Sequence, residues 1–178
     1  MPEIGIVGTK ILGPKREIQH PGMILGLGGP AGPIFKSAHE YLFGPNGSPE
    51  SYRNYNGVSG SCMAMRLEVF NRLGGFNEQY KAAYGDIDLC LQAINAGLRI
   101  VYTPYARLLM KEHKNRNNFI PDTNRILLNE KMSEIVITGD PFFNPNLSYQ
   151  NYVPAVIEAD LIYRQKHDGP TTQEVCKI

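Results

Sequence analysis

The stretch that most constrains this chain is residues 84–102 (YGDIDLCLQAINAGLRIVY), where a helical pattern gives way to a strand pattern across one short stop. Leu89, Leu91, Ala93, Ile94 and Leu98 supply an apolar side at helical spacing, Asn95-Ala96-Gly97 supplies the stop, and 99–102 reads as a strand. A chain holding such a segment must bury a helix face against extended structure. Asp86 and Asp88 flank Ile87 at the opening of the helix. Carboxylates are favoured there by the exposed N–H groups and the helix dipole, so either aspartate is explained as a cap. Capping needs only one acid, and a chemical role for at least one of the pair stays open beside the structural one.

Residues Ile4–Leu12 (IGIVGTKIL) are apolar and β-rich, the pattern of a buried strand that begins almost at the first residue with no lead-in. Its sheet neighbour is expected to be missing, which leaves an exposed apolar edge along Ile4–Leu12 and favours self-association into a homo-oligomer. Residues 21–29 (PGMILGLGG) carry too many glycines for a regular strand throughout. The GxGxxG spacing is absent and no helix pattern follows, so an irregular strand edge and loop is expected rather than a phosphate cradle. His20, just before a Pro-Gly turn, reads as a structural hydrogen-bonding residue. Residues 36–57 read as a long loop with a short helical piece. Residues 58–65 (VSGSCMAM) suit a buried strand whose glycine and serines permit close approach to the backbone.

Residues 66–73 (RLEVFNRL) read as a helix stopped by Gly74-Gly75. After the 99–102 strand, Thr103-Pro104 reads as a break and 106–110 (ARLLM) as another short extended piece. The polar run 111–118 (KEHKNRNN) reads as a solvated loop, with an anion-binding lid as the functional alternative. A helix is expected over 124–132, a strand or connector over 133–138, a proline-punctuated turn over 139–147 (GDPFFNPNL), and a helix over 155–164 in the tail.

The chain has 178 residues, 42% hydrophobic and 20% charged, enough for one globular domain with a real core. A net charge of +1 excludes bulk electrostatic attraction to nucleic acid. No secretory leader pattern or membrane-length apolar run is present, so a cytoplasmic protein is expected, peripheral to a membrane in a longer parent. Cys62, Cys90 and Cys176 form neither a disulfide framework nor a zinc signature, and the first two read as small core residues. The sequon at Asn146 carries little weight without other signs of secretion.

The ordered segments EIGIVGTKIL, EIQHPGMILGLGG, VSGSCMAMR, VFNRLGGFNE, YGDIDLCLQAINAGLRIVYTPYA and DPFFNPNLS resemble the C-terminal half of a family 2 glycosyltransferase with the GT-A fold. The likeness is strongest to bacterial enzymes that build O-antigen, capsule or other cell-surface glycans, and it covers roughly residues 2–148. The resemblance implies an α/β fold with a mixed sheet flanked by helices: a partial GT-A domain over 1–150, lacking the nucleotide-binding half, followed by a helical tail over 151–178. It also implies inverting transfer from a nucleotide-sugar donor to a glycan acceptor hydroxyl, with a divalent metal, Mn2+ or Mg2+, in the parent enzyme. Asp86 matches the catalytic base and Asp88 the supporting acid two residues on. Gly60 and Ser61 match the acceptor-side segment, and Arg116 a basic residue on a loop over the diphosphate.

Two departures from the family pattern stand out. The Asp-rich metal motif and the sheet before it are absent, so the chain reads as a fragment, inactive in isolation and binding no metal by itself. Where the family has His-x-Glu-Ser, Met110 takes the histidine position, and methionine is a poor ligand for hard divalent ions unless His113 has taken over. The alternative function is a non-catalytic binding or interaction module derived from the same fold.

Overall fold

β1 (Ile4–Leu12) is the strand around which the sheet forms in the computed structural model, which describes residues 3–42, 49–111 and 120–157. β7 (Arg99–Leu109) runs parallel to it on one side. On the other side β6 (Met63–Met65) pairs antiparallel with Ile6, Val7 and Gly8, while β2 (Ile18–His20) pairs with Ile11 and Leu12. β5 (Arg53–Tyr55) lies antiparallel on the far side of β7, giving the order β2-β1-β7-β5 with β6 also on β1. Ile6, Ile11 and Leu12 are buried, as the apolar run required of a strand covered on both faces.

This pairing corrects the expected edge. β1 is hydrogen-bonded on both sides because the chain supplies its own neighbours from much later in sequence, so no exposed edge runs along Ile4–Leu12 and the homo-oligomer has no such edge to form through. β7 beyond Tyr102 has no strand partner on its β5 side among the described residues, and Tyr105, Leu108 and Leu109 are exposed there.

The expected break at Thr103-Pro104 is also corrected. β7 continues through it: Thr9 aligns with Thr103 and Lys10 with Arg107, so Pro104, Tyr105 and Ala106 have no counterpart on β1. Proline has no N–H to donate, and the sheet absorbs it as a bulge rather than ending. The Arg107 side chain closes the bulge, its Nε donating to the Pro104 carbonyl at 3.2 Å.

α1 (Leu67–Leu73) ends where expected: Gly74 takes the left-handed conformation at φ 84, and the Gly74 and Gly75 N–H groups donate to the Asn71 and Phe70 carbonyls at 3.1 and 3.0 Å. α2 (Gly85–Asn95) lays Leu89, Cys90 and Ala93 against Ile6 and Ile100 of the sheet and Val58 of the β5–β6 connection. Burying a leucine in such a cluster contributes about 1.5–3 kcal/mol. Burial pushes the Cys90 thiol up to about 12, so it packs as an inert small side chain. Cys62 is only half-buried, against the expectation of a core position.

The glycine-dense region is, as expected, no regular strand throughout: the three-residue β3 (Met23–Leu25) turns through its glycines and pairs antiparallel with β4 (Ala31–Pro33), with Ile24 and Leu25 buried. Two local expectations are overturned. Of the expected strand 58–65, only Met63–Met65 is extended in the sheet, and 133–138 is α4 (Ser133–Thr138), a helix following α3 (Asp122–Lys131). The β-branched run in α4 favours a strand locally, but Ile135 packs beside Leu128 and Met132 of the preceding turn, and that tertiary contact outweighs propensity.

The proline-punctuated turn is pinned by Asp140. Its Oδ2 accepts the Leu25 N–H and its Oδ1 the Phe142 N–H, both at 2.8 Å, while the Tyr149 hydroxyl accepts the Asp140 N–H at 2.9 Å. Residues 151–157 continue this packing: the Tyr152 carbonyl accepts the Phe35 N–H at 2.5 Å, and Leu147 bridges to Val156. The tail helix expected over 155–164 falls mostly outside the described residues.

Candidate functional site

Tyr84, the residue before α2, sits in the left-handed region at φ 71 and ψ 0. A bulky residue there is strained, and the turn swings the chain from the 76–83 loop into the helix. Asp86, in the first turn, therefore meets the Gly60-Ser61 segment from β6's approach. Its Oδ2 accepts the Gly60 N–H at 2.7 Å and its Oδ1 the Ile87 N–H at 2.9 Å. A Cβ on residue 60 would come within 3.0 Å of the Asp86 Cβ, so glycine is what allows this approach. The Gly60-Ser61 turn is itself held by Ser59, whose Oγ accepts the Ser61 N–H at 3.2 Å and whose carbonyl accepts the Cys62 N–H at 3.3 Å.

Asp86, Gly60 and Ser61 line one cleft of about 810 Å3. It is also lined by Phe76, Tyr80 and Tyr84 from the loop leading into α2, and by His20, Met23 and Lys36. The structure thus brings together three of the residues singled out in the sequence. The aromatic wall went unread there, although FNEQYKAAY between the Gly-Gly stop and the acid pair carries three aromatics in a segment with no regular periodicity. His20, expected to be structural, also faces this cleft.

Asp88 occupies a different environment. It is fully buried, pairs with Lys131 Nζ of α3, and accepts a hydrogen bond from Gln92 Nε2 at 2.7 Å. Burial, reinforced by the adjacent Asp88 carboxylate, drives the Tyr80 hydroxyl above the ordinary tyrosine range. Asp88 thereby ties α2 to α3 and sits behind the aromatic wall, outside the set of residues lining the cleft.

Met110 lies at the end of β7, its N–H donating to the Leu12 carbonyl at 2.8 Å. His113 and Arg116 fall outside the described residues. Among the described residues no three His, Cys, Asp or Glu side chains come together in a way that holds a metal ion, and no helix is long and apolar enough to cross a membrane.

The architecture is that of an α/β protein with a polar cleft built at a helix N-terminus beside a mixed sheet. Over 150 residues the chain is 35% identical to the O-antigen biosynthesis protein RfbC of Myxococcus xanthus, a match spanning 83% of this chain and 12% of that protein. It is 33% identical over 163 residues to the uncharacterized protein y4gI of Sinorhizobium fredii, covering 84% of this chain and 17% of the relative. A shorter match, 36% over 61 residues, joins it to the rhamnosyltransferase WbbL of Escherichia coli, covering 34% and 23%. No family model matches. The chain belongs to the family 2 glycosyltransferase-like proteins, with a GT-A type α/β fold, and spans under a fifth of the first two relatives' length.

Proposed function

We propose that this chain is the acceptor side of an inverting glycosyltransferase, moving a sugar from a nucleotide-activated donor to a glycan hydroxyl, with Asp86 as the base. The observation that carries the reading is the placement of Asp86: each of its oxygens is oriented by a backbone N–H, and the carboxylate borders a cleft large enough for a sugar. Each oxygen keeps a further acceptor position for a substrate hydroxyl. In the transfer the carboxylate takes the acceptor O–H proton as that oxygen forms a bond to the anomeric carbon. The bond to the diphosphate breaks, and its electron pair leaves with the nucleoside diphosphate.

Gly60 and Ser61 form the acceptor wall, Asp88 holds the helix that presents the base, and Arg116, outside the described residues, is assigned to the diphosphate by the family resemblance alone. The names O-antigen biosynthesis protein and rhamnosyltransferase, borne by relatives, support a cell-surface polysaccharide as the product. The described residues do not fit a divalent metal, since they bring no ligand cluster together and Met110 offers only a thioether. No step is therefore routed through a metal, and donor binding falls to sequence outside this chain, which alone is inactive.

The test is a transfer assay on a longer protein that contains this chain and a donor-binding half. Asp86→Asn is expected to lower turnover by about 10²–10⁴-fold, as for the loss of a general base. Unchanged turnover overturns the assignment.

A further inference from the structure

Gly85 is the cleft residue that the fold leaves unexplained. It is the first residue of α2, its backbone is outside the left-handed region, and an added Cβ would meet the Tyr80 Cβ at 3.7 Å and the Phe76 Cδ1 at 4.0 Å. Those are ordinary van der Waals contacts, so neither conformation nor packing requires glycine. Helix formation, moreover, favours alanine over glycine. What the missing side chain leaves is open floor beside Asp86, in front of Phe76 and Tyr80.

Phe76 is half-exposed in the cleft, yet its ring is held edge-to-face by Phe70 at 5.6 Å and 69°. A large apolar ring is thus presented in a defined orientation without being buried. Tyr80 also lines the cleft; its hydroxyl is buried beside Asp88, and its side chain is held by packing on the core cluster of Met23, Leu25 and Ile87. A pyranose has the complementary surface: C–H bonds on one face and hydroxyls around the rim, so that a ring stacked on an aromatic still projects a hydroxyl sideways.

We propose that Phe76 and Tyr80, with the space left by Gly85, form a pyranose-stacking subsite that sets the acceptor ring beside Asp86. The proposal rests on reading the cleft as an acceptor site. It goes further by naming which residues grip the ring and which absent side chain admits it.

The experiment is saturation-transfer NMR on the 178-residue chain with methyl β-D-glucopyranoside and methyl α-D-mannopyranoside, and with sorbitol as an open-chain polyol that has no ring face to stack. At least one pyranoside should receive saturation, strongest on the C–H groups of one ring face, and sorbitol should not. Phe76→Ala should weaken that signal about fivefold, and Phe76→Trp should retain it. Gly85→Leu, which fills the floor while leaving both platform residues in the sequence, should abolish the signal while the melting temperature stays within about 2 °C. Absence of pyranoside saturation, equal saturation of sorbitol, or an unchanged signal in either Phe76→Ala or Gly85→Leu overturns the subsite. Asp86→Asn in the same chain separates the two readings, because it should keep ring saturation even though it removes the base. Lost stacking with an Asp86-dependent transfer would refute the subsite alone, and intact stacking with an Asp86-independent transfer would refute the base alone.

Discussion

Two groups of charged residues at opposite treatments of the same chemistry divide this molecule. Beyond the middle of β1, the fully buried Lys10 pairs with Glu50 and donates to the Glu40 carbonyl at 2.5 Å, Arg107 Nη2 binds Glu50 Oε2 at 2.7 Å, and Arg16 Nη2 binds Glu40 Oε2 at 2.7 Å. There every carboxylate has a cation, and the network fastens the loop carrying Glu40 and Glu50 to the sheet. At the start of α2, Asp86 is held only by backbone N–H groups, and among the described residues no cation pairs with it. The difference teaches how to sort acids in this fold: those paired with cations, or buried in a turn as Asp140 is, build the structure, and Asp86, with open acceptor positions on a cleft, is the candidate for chemistry. Asp88, two residues from Asp86, falls on the structural side through Lys131.

The comparison breaks most visibly if the network is cut. Glu50→Ala leaves the Lys10 ammonium buried without its carboxylate and should cost about 3–5 kcal/mol in urea unfolding, whereas Lys10→Met, which removes the buried charge itself, should cost far less. Equal losses would show that the ion pair is not what holds the loop. Next in size, Asp88→Asn should lower stability by about 1–3 kcal/mol, since Lys131 is partly exposed and its ammonium can rehydrate. The smallest effect is a pH dependence. Hydrogen bonding to Arg16 holds the Glu40 carboxyl below the usual glutamate value, so its contribution is fully present above that ordinary value and is lost as pH falls through the lower folded one. Glu40→Gln should flatten the acid limb of a urea-midpoint profile, and an unchanged limb would place the acid sensitivity elsewhere.

The residues that announce themselves in the sequence are those whose neighbours lie within a few positions. β1, α1 and α2 were legible because periodicity and the Gly-Gly stop are local signals, and Asp86 with Gly60 was legible as an ordered pair of motifs through family resemblance. What was not legible depends on partners far along the chain. Lys10 sits inside an apolar run and gives no sign that Glu50 will neutralise it. The β3–β4 hairpin hides behind glycines that serve its turn, and α4 carries strand-forming residues that the packing of Ile135 overrides. The neighbours that close both sides of β1 come from residues 18–20, 63–65 and 99–109, so a reading confined to its first residues expects an open edge. The aromatic wall of the cleft was missed for the same reason: Phe76 and Tyr80 matter only because the strained turn at Tyr84 folds their loop back over Gly85.

The central claim, that Asp86 is kept for chemistry while Asp88 is kept for structure, is tested most directly by placing Asp86→Asn and Asp88→Asn side by side in one longer active protein, measuring turnover and the urea midpoint of each. The account predicts that Asp86→Asn loses about 10²-fold or more in turnover with little change in midpoint, and that Asp88→Asn shifts the midpoint down while keeping most of the turnover of the folded fraction. The reverse pattern, with turnover surviving at Asp86→Asn and collapsing at a well-folded Asp88→Asn, would contradict it.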